Sequence, residues 1–206
     1  VSKVEDRFVN LKTVKPSALA CEYALKTDKD PRLVELILGE SKGVIRHRKG
    51  VLVVENHEGL IMANAGIDHS NVEQDSDNDW VLLLPENPDK SAKALHSELL
   101  YITGCKIGII INDSIGRAWR NGTIGTAIGV AGLSSIIDLR GRSDLFGNLL
   151  RVSEEAIADE LASAASIIQG QANEGLPVVL IEGYQTNSPH VPASGLIRSE
   201  ENDLFR

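Results

Sequence analysis

Strand and helix signals follow one another along this chain in no regular alternation. Pro16 to Lys26 and Pro31 to Glu40 each open on a proline at a first-turn position and are predicted helices. In the second, Leu33, Leu36 and Ile37 recur at helical spacing. The β-branched run Val51 to Val54 and the run Leu60 to Ala63 flank the turn-like His57-Glu58-Gly59, which predicts a hairpin. Ala65 to Asp79 reads as a loop and Val81 to Leu84 as a buried strand. Asn87 is an N-cap with Pro88 behind it, for a helix running to about Thr103. The apolar strand Ile107 to Ile111 is expected to end at Asn112-Asp113-Ser114, before a glycine-rich stretch. Ser153 is expected to cap the longest helix, with Glu154 and Glu155 in its first turn and an end near Gln169. Val178 to Ile181 reads as a last buried strand. A doubly wound sheet needs strand and crossover helix in strict turn. This order instead predicts an α+β fold with mixed or antiparallel sheets and packed helices.

The 206 residues suffice for one domain or two small interlocked ones. Aromatic residues are only 4%, so aliphatic side chains and alanine must build the core. The formal charge of −8 repels phosphate backbones and anionic lipid, so neither nucleic acid nor membrane is an expected partner. No apolar run approaches the roughly 20 residues of a spanning helix, and no basic stretch followed by an apolar one stands at the start, so a secretory signal is not expected. The first residue is valine, which suggests a start inside a longer reading frame. Cys21 and Cys105 stand apart and read as buried thiols of a reducing, cytoplasmic setting. No Walker-type loop, GxGxxG, HExxH or GxSxG is present, and the five histidines are scattered. Zinc is therefore not expected.

Four clusters carry polar chemistry. In Ala63-Asn64-Ala65-Gly66-Ile67-Asp68-His69-Ser70-Asn71, Asp68 and Asn71 offer oxygen ligands of the kind hard divalent cations take, or else form an Asx-rich turn. Asp113 and Ser114, at a strand end, suit Mg²⁺ or Mn²⁺, or a turn cap. Arg117 and Arg120 flank Trp119 between glycines, as an anion clamp or a surface ion-pair cluster. The glycines at 122, 125, 129 and 132 suggest close backbone packing on a helix face or a phosphate-cradling loop. Gln169-Gly170-Gln171-Ala172-Asn173-Glu174-Gly175 is dense in oxygen donors, or is a solvated helix C-cap.

Taken together these strings resemble one family. Ser2-Lys3-Val4-Glu5-Asp6-Arg7 resembles its SKxEGR motif, and residues 63–71 its ANAGID-x-SN loop. Leu84-Pro85 through Ala92 resembles its LPxxPDxSA element, and Asp113 through Gly122 its DSFGRPWRNG signature, running on into Ala127-Ile128-Gly129-Val130-Ala131-Gly132. Asp144-Leu145-Phe146-Gly147 and Gly170-Gln171 to Glu174-Gly175 extend the likeness over essentially the whole chain. The family is the coenzyme F-420-0:L-glutamate ligases, the γ-glutamyl ligases of coenzyme F-420 biosynthesis.

The resemblance implies an amide-forming ligase of α+β fold with two interlocked lobes. In it GTP phosphorylates the terminal carboxylate of the coenzyme F-420 precursor, L-glutamate displaces the phosphate, and a second glutamate is added through a γ-linkage. It further implies two Mn²⁺ or Mg²⁺ ions, K⁺ and a homodimer. Carried onto this chain, Asp68 and Asp113 would bind the first ion, and Ser114 and Gln171 the second. Ser2, Lys3, Arg7 and Asn71 would face the nucleotide. The loop Gln169, Gly170, Gln171, Ala172, Asn173, Glu174, Gly175 and Leu176 would close over it. Arg117 and Arg120 are added as anion clamps on chemistry alone. Residues 1–206 are read as one such domain, lacking the family's upstream strand. Ile115, Ala118 and Asp6 depart from the motifs, and Asp6 stands where a glycine suited to positive φ is usual. A sister ligase for another phosphorylated acceptor and a non-catalytic nucleotide-binding remnant are the alternatives.

Overall fold

The computed structural model describes residues 3, 5–75, 77–185 and 188–203. Its elements run β1 (Phe8–Asn10), α1 (Ala18–Thr27), α2 (Pro31–Gly39), β2 (Ser41–Arg48), β3 (Val51–Asn56), β4 (Ile61–Ala63) and β5 (Trp80–Leu82). There follow α3 (Pro88–Thr103), β6 (Ile109–Gly116), β7 (Thr123–Ala131), β8 (Ile137–Asp138), β9 (Glu154–Glu155) and α4 (Ile157–Gln169). The small sheets β1-β5, β2-β3-β4, β6-β7 and β8-β9, interspersed with helices, make this an α+β protein. By internal contacts the chain divides into two compact units. One comprises Lys3–Glu86 and Ile115–Gly122; the other includes Asn87–Ser114 and Thr123–Arg206.

In the first unit, α1 and α2 cover a core of Leu11, Val34, Ile37, Leu52, Val54 and Val81, each 2% exposed or less. The helices begin where local chemistry dictates. Ser17 accepts from the Ala20 amide and Asp30 from the Arg32 amide, satisfying donors that a first turn leaves free. Pro16 thus lies just outside α1, whereas Pro31 opens α2 as expected. β3 alternates half-buried and buried residues, the period-two pattern of a strand with one face on the core. It pairs antiparallel with β4, as the sequence predicts. β2 is not foreseen. It is the edge of that sheet and is largely exposed, so it lacks the apolar alternation that betrays a strand. Its Lys42, Arg46, Arg48 and the following Lys49 are charges of the kind that discourage further strand pairing.

In the second unit, α3 and α4 pack on β7 around Ala127, Val130, Ala158, Ala162 and Ala193. Small residues allow the approach. A Cβ at Gly129 would strike the Pro88 carbonyl at the start of α3. A Cβ at Gly125 would likewise strike the Ala162 carbonyl, so these two glycines serve close packing on a strand rather than on a helix face, whereas Gly122 has nothing within 4 Å. Asp89, in the first turn of α3, accepts from the amides of Val130 (2.8 Å), Ala193 (2.8 Å) and Ser194 (3.1 Å), tying three segments together.

Four expectations are corrected here. Glu154 and Glu155 pair with β8, so α4 starts only at Ile157, and α3, with 16 residues, is the longer helix. Ladder bonds to Ile137 and Asp138 outcompete the first-turn preference of the two glutamates. β6 does not stop at Asn112 but continues to Gly116. Residues 178–181 form no strand, and Val178 and Leu180 are exposed. Cys21 and Cys105 are both exposed.

Candidate functional site

The first group of predicted site residues lies in the unit that holds β1 to β5. Asn64, Ala65 and Gly66 take three successive positive φ angles of 53°, 53° and 68°. Asparagine and glycine accept that region readily, while a buried alanine there is strained, a feature concentrated at functional turns. A Cβ at Gly66 would also meet Leu84 at 2.5 Å. The turn delivers Asp68 onto β5, where its amide and carbonyl pair with Leu82 at 3.0 and 2.9 Å. Its backbone is thus pinned while its carboxylate stays half-exposed.

Lys3 meets this carboxylate. Its ammonium lies 3.5 Å from Asp68 Oδ2 and donates to the Gly66 carbonyl at 2.5 Å. The lysine side chain is 10% exposed and that of Asp68 47%, so a nearly buried ammonium lies beside a half-exposed carboxylate. His69 contacts Asp79 Oδ1 through Nε2 at 2.9 Å, and Asp79 also accepts from Arg32 at 3.2 Å. His69 therefore anchors the loop to α2. Asn71 is exposed at φ 54°. Asp6 adopts φ 49°, the conformation anticipated for its position.

Arg7 takes a different set of partners. Its guanidinium is bidentate to Glu40, both bonds 3.0 Å, and donates to the Leu84 carbonyl at 2.5 Å. Burial works against its charge, but the Glu40 bonds prevail and raise its pKa. Arg7, Glu40, Asn56, His57, Leu84 and Glu86 line a cavity of about 280 Å³. Glu40 is a polar partner that the sequence did not single out, because its role comes from a contact 33 residues away. On the turn after β6, Arg117 donates to the Gly122 carbonyl at 3.2 Å. Beside it, Trp119 stands 86% exposed at φ 64° and Arg120 is exposed.

The second group belongs to the other unit. Asp113 and Ser114 sit inside β6 rather than beyond its end, so a ladder fixes their backbone. The preceding Asn112 donates from Nδ2 to Gln169 Oε1 at 2.8 Å, at the last residue of α4. Gln169 Nε2 in turn donates to the Pro177 carbonyl at 3.2 Å. Residues 170–176 are thereby a loop closed at its base. Inside it the Glu174 carboxylate accepts from the Ala172 amide at 2.8 Å, and backbone donors hold its pKa below the usual carboxylate range. Gln171, Asn173, Gly175 and Leu176 are exposed along it.

The structure thus brings Lys3 to Asp68, and Gln169 to the residue before Asp113. Arg7 goes instead to Glu40. Ser2 lies outside the described residues. Among the described residues no three His, Cys, Asp or Glu side chains converge to hold an ion. The predicted donors Asp68, Asp113, Ser114 and Gln171 are oxygen atoms throughout, a set that fits Mg²⁺ or Mn²⁺ in kind and not a soft metal.

Residues 1–183 match the sequence profile of a family described as F420-0:Gamma-glutamyl ligase. The chain belongs to that family. The coenzyme F420:L-glutamate ligase of Methanocaldococcus jannaschii is 41% identical over 206 residues, covering all of this chain and 81% of that protein. The enzyme of the same name from Methanothermobacter thermautotrophicus is 45% identical over 210 residues, again covering 100% and 81%. That of Archaeoglobus fulgidus is 38% identical over 206 residues, 100% and 80%. As a member of the F420-0:gamma-glutamyl ligase family, this chain carries the DSFGRPWRNG-like string across β6 and the following turn. Its ANAGID-like string forms the left-handed turn before Asp68. No helix of the described residues is long and apolar enough to cross a membrane.

Proposed function

We propose that this chain is a GTP-dependent ligase that joins L-glutamate to the coenzyme F-420 precursor and then extends the product through a γ-linkage. The observation that carries the reading is its similarity, over its whole length, to enzymes named coenzyme F420:L-glutamate ligase. In the first step an oxygen of the acceptor's terminal carboxylate attacks the γ-phosphorus of GTP and GDP leaves. In the second the amine of L-glutamate attacks the acyl carbon and loses its proton. Inorganic phosphate departs with the electrons of the C–O bond.

Both steps gather negative charge, so this chain must supply cations and donors. Asp68 and Asp113 are read as ligands of one divalent ion, and Ser114 and Gln171 as ligands of a second. Held there as Mn²⁺ or Mg²⁺, with K⁺ assisting, such ions would supply positive charge for the phosphate oxygens. Lys3, Asn71 and the loop of residues 169–176 face the nucleotide, and Arg117 and Arg120 clamp anionic groups. Arg7 contributes to the nucleotide side with its fork oriented by Glu40. The Lys3–Asp68 contact supports this arrangement, since a carboxylate that draws a nearly buried ammonium to itself is a competent cation ligand. Residues 1–206 act as one functional domain of a cytoplasmic homodimer.

The test is GDP release with Mn²⁺ and L-glutamate, with and without the glutamate-free precursor. Release that needs both, with a product heavier by one or two glutamyl units, is the expected result. An Asp113→Ala variant should lose turnover. If it keeps full activity, the ligand assignment is wrong. GTP binding without turnover would instead point to a sister ligase with another acceptor.

A further inference from the structure

Asn112 precedes Asp113 on β6, and its amide is spent on Gln169 at the end of α4. The direction of that bond fixes which end of the Gln169 amide faces which neighbour. Asn112 Nδ2 donates to Gln169 Oε1 at 2.8 Å. Gln169 Nε2, the other end of that amide, donates to the Pro177 carbonyl at 3.2 Å. Nε2 also reaches Asn112 Oδ1, at 3.5 Å, a long contact that contributes little. The Gln169–Pro177 bond closes the base of the 170–176 loop. Residues 171–178 are exposed and without regular structure, and within the loop the Glu174 carboxylate accepts from the Ala172 amide.

We infer that Asn112 is a positioning residue for the nucleotide: it orients Gln169, and through it holds the 170–176 loop beside the strand that carries Asp113 and Ser114. The inference rests on the reading of that loop as nucleotide-facing. Asn112 itself touches no substrate. It transmits the geometry of β6 to the loop, so that the donors of both arrive together. An unheld loop would have to be ordered by GTP at the moment of binding, which weakens the nucleotide's apparent affinity and leaves the chemical step alone.

The bond's direction supplies a test that mere space-filling would not meet. Asn112→Asp keeps the side chain's size but sets a carboxylate oxygen against Gln169 Oε1. The glutamine must then back away or turn over, and turning over sets its oxygen against the Pro177 carbonyl. Asn112→Asp should therefore loosen the loop more than Asn112→Ala. The loop is read by amide exchange over residues 170–177 in the nucleotide-free full chain, and the enzyme by steady-state kinetics in GTP. Asn112→Ala is expected to speed exchange and raise the KM for GTP about five-fold, the value of one neutral hydrogen bond, with kcat held. Asn112→Asp should exceed it on both readouts. Gln169→Ala combined with Asn112→Ala should add nothing to Gln169→Ala alone, because one chain of bonds is cut twice.

Three results overturn the inference: unchanged exchange, an Asn112→Asp variant milder than Asn112→Ala, or additive effects in the double variant. A chain whose loop responds as described but which binds no GTP refutes the ligase reading. Asn112 would then be a loop support with no part in nucleotide positioning. If Asn112→Ala fails to fold, the Asn112→Asp variant, equal in size, decides the matter by its exchange pattern.

Discussion

Removing the Asp89 carboxylate should destabilise the unit that holds α3, α4 and β7. Its Oδ1 accepts from the amides of Val130 and Ala193, both at 2.8 Å, and its Oδ2 from Ser194 at 3.1 Å. Val130 and Ala193 are 1% and 3% exposed, so water is poorly placed to take over their donors. A hydrogen bond to a charged group contributes about 1.5–3 kcal/mol, and Asp89 is half-buried, which argues for the low end. The negative charge in the first turn of α3 adds about 0.5 kcal/mol through the helix dipole. Asp89→Ala should thus cost roughly 3–5 kcal/mol. At about 2–4 °C per kcal/mol for a chain of this size, Tm falls by about 6–20 °C. Asp89→Asn keeps one oxygen for the two shorter bonds but turns an NH₂ group toward Ser194, so its loss should be about half as large. Far-UV circular dichroism during thermal and urea unfolding is the suitable probe, because Trp80 and Trp119 both belong to the other unit. A loss below 1 kcal/mol for Asp89→Ala, or equal losses for the two variants, would refute the reasoning.

Four further outcomes are expected. Gly129→Ala forces a Cβ onto the Pro88 backbone carbonyl, which cannot swing aside, and should cost about 1–3 kcal/mol. Gly43→Ala, with nothing within 4 Å, should change the urea midpoint little. On the pH axis, hydrogen bonds from the Arg140 side chain and backbone hold the Asp138 carboxyl down to about 2. A folded-state pKa below the unfolded value contributes stability that is present above about pH 4 and lost as pH falls toward 2. Asp138→Asn should therefore flatten the acid limb of stability, and an unchanged limb would count against it. Burial raises the pKa of Asp159, the opposite sign, so Asp159→Asn should compare better with the parent at pH 7 than at pH 4.

What could be read in the sequence was the chemistry that acts within a few residues. Asn87 and Pro88 open α3 at the residues anticipated, and it ends at Thr103 as expected, because caps are local devices. The β3–β4 hairpin and the loop before Asp68 followed from alternation and turn residues for the same reason. Partners distant in sequence were not legible. Glu154 and Glu155 look like a first helical turn until β8 pairs with them, and Ser41–Arg48 looks like a polar loop until β3 does. The same holds at the candidate site. The strings around Asp68 and Asp113 were recognisable by their order. Glu40, Asn112 and Asp89 acquire roles only through contacts 33, 57 and 41 or more residues away.

The division of the chain has a consequence for how such a protein can be handled or inherited. Each unit is discontinuous: the chain leaves the first after Glu86, returns within β6 for residues 115–122, and leaves again. No single protease cut or recombination junction can excise one unit whole. A truncation after Glu86 strips the first unit of its Arg117–Arg120 turn, and a fusion beginning at Asn87 carries that turn away from its own core. A cut at any one point of the sequence therefore always divides a unit.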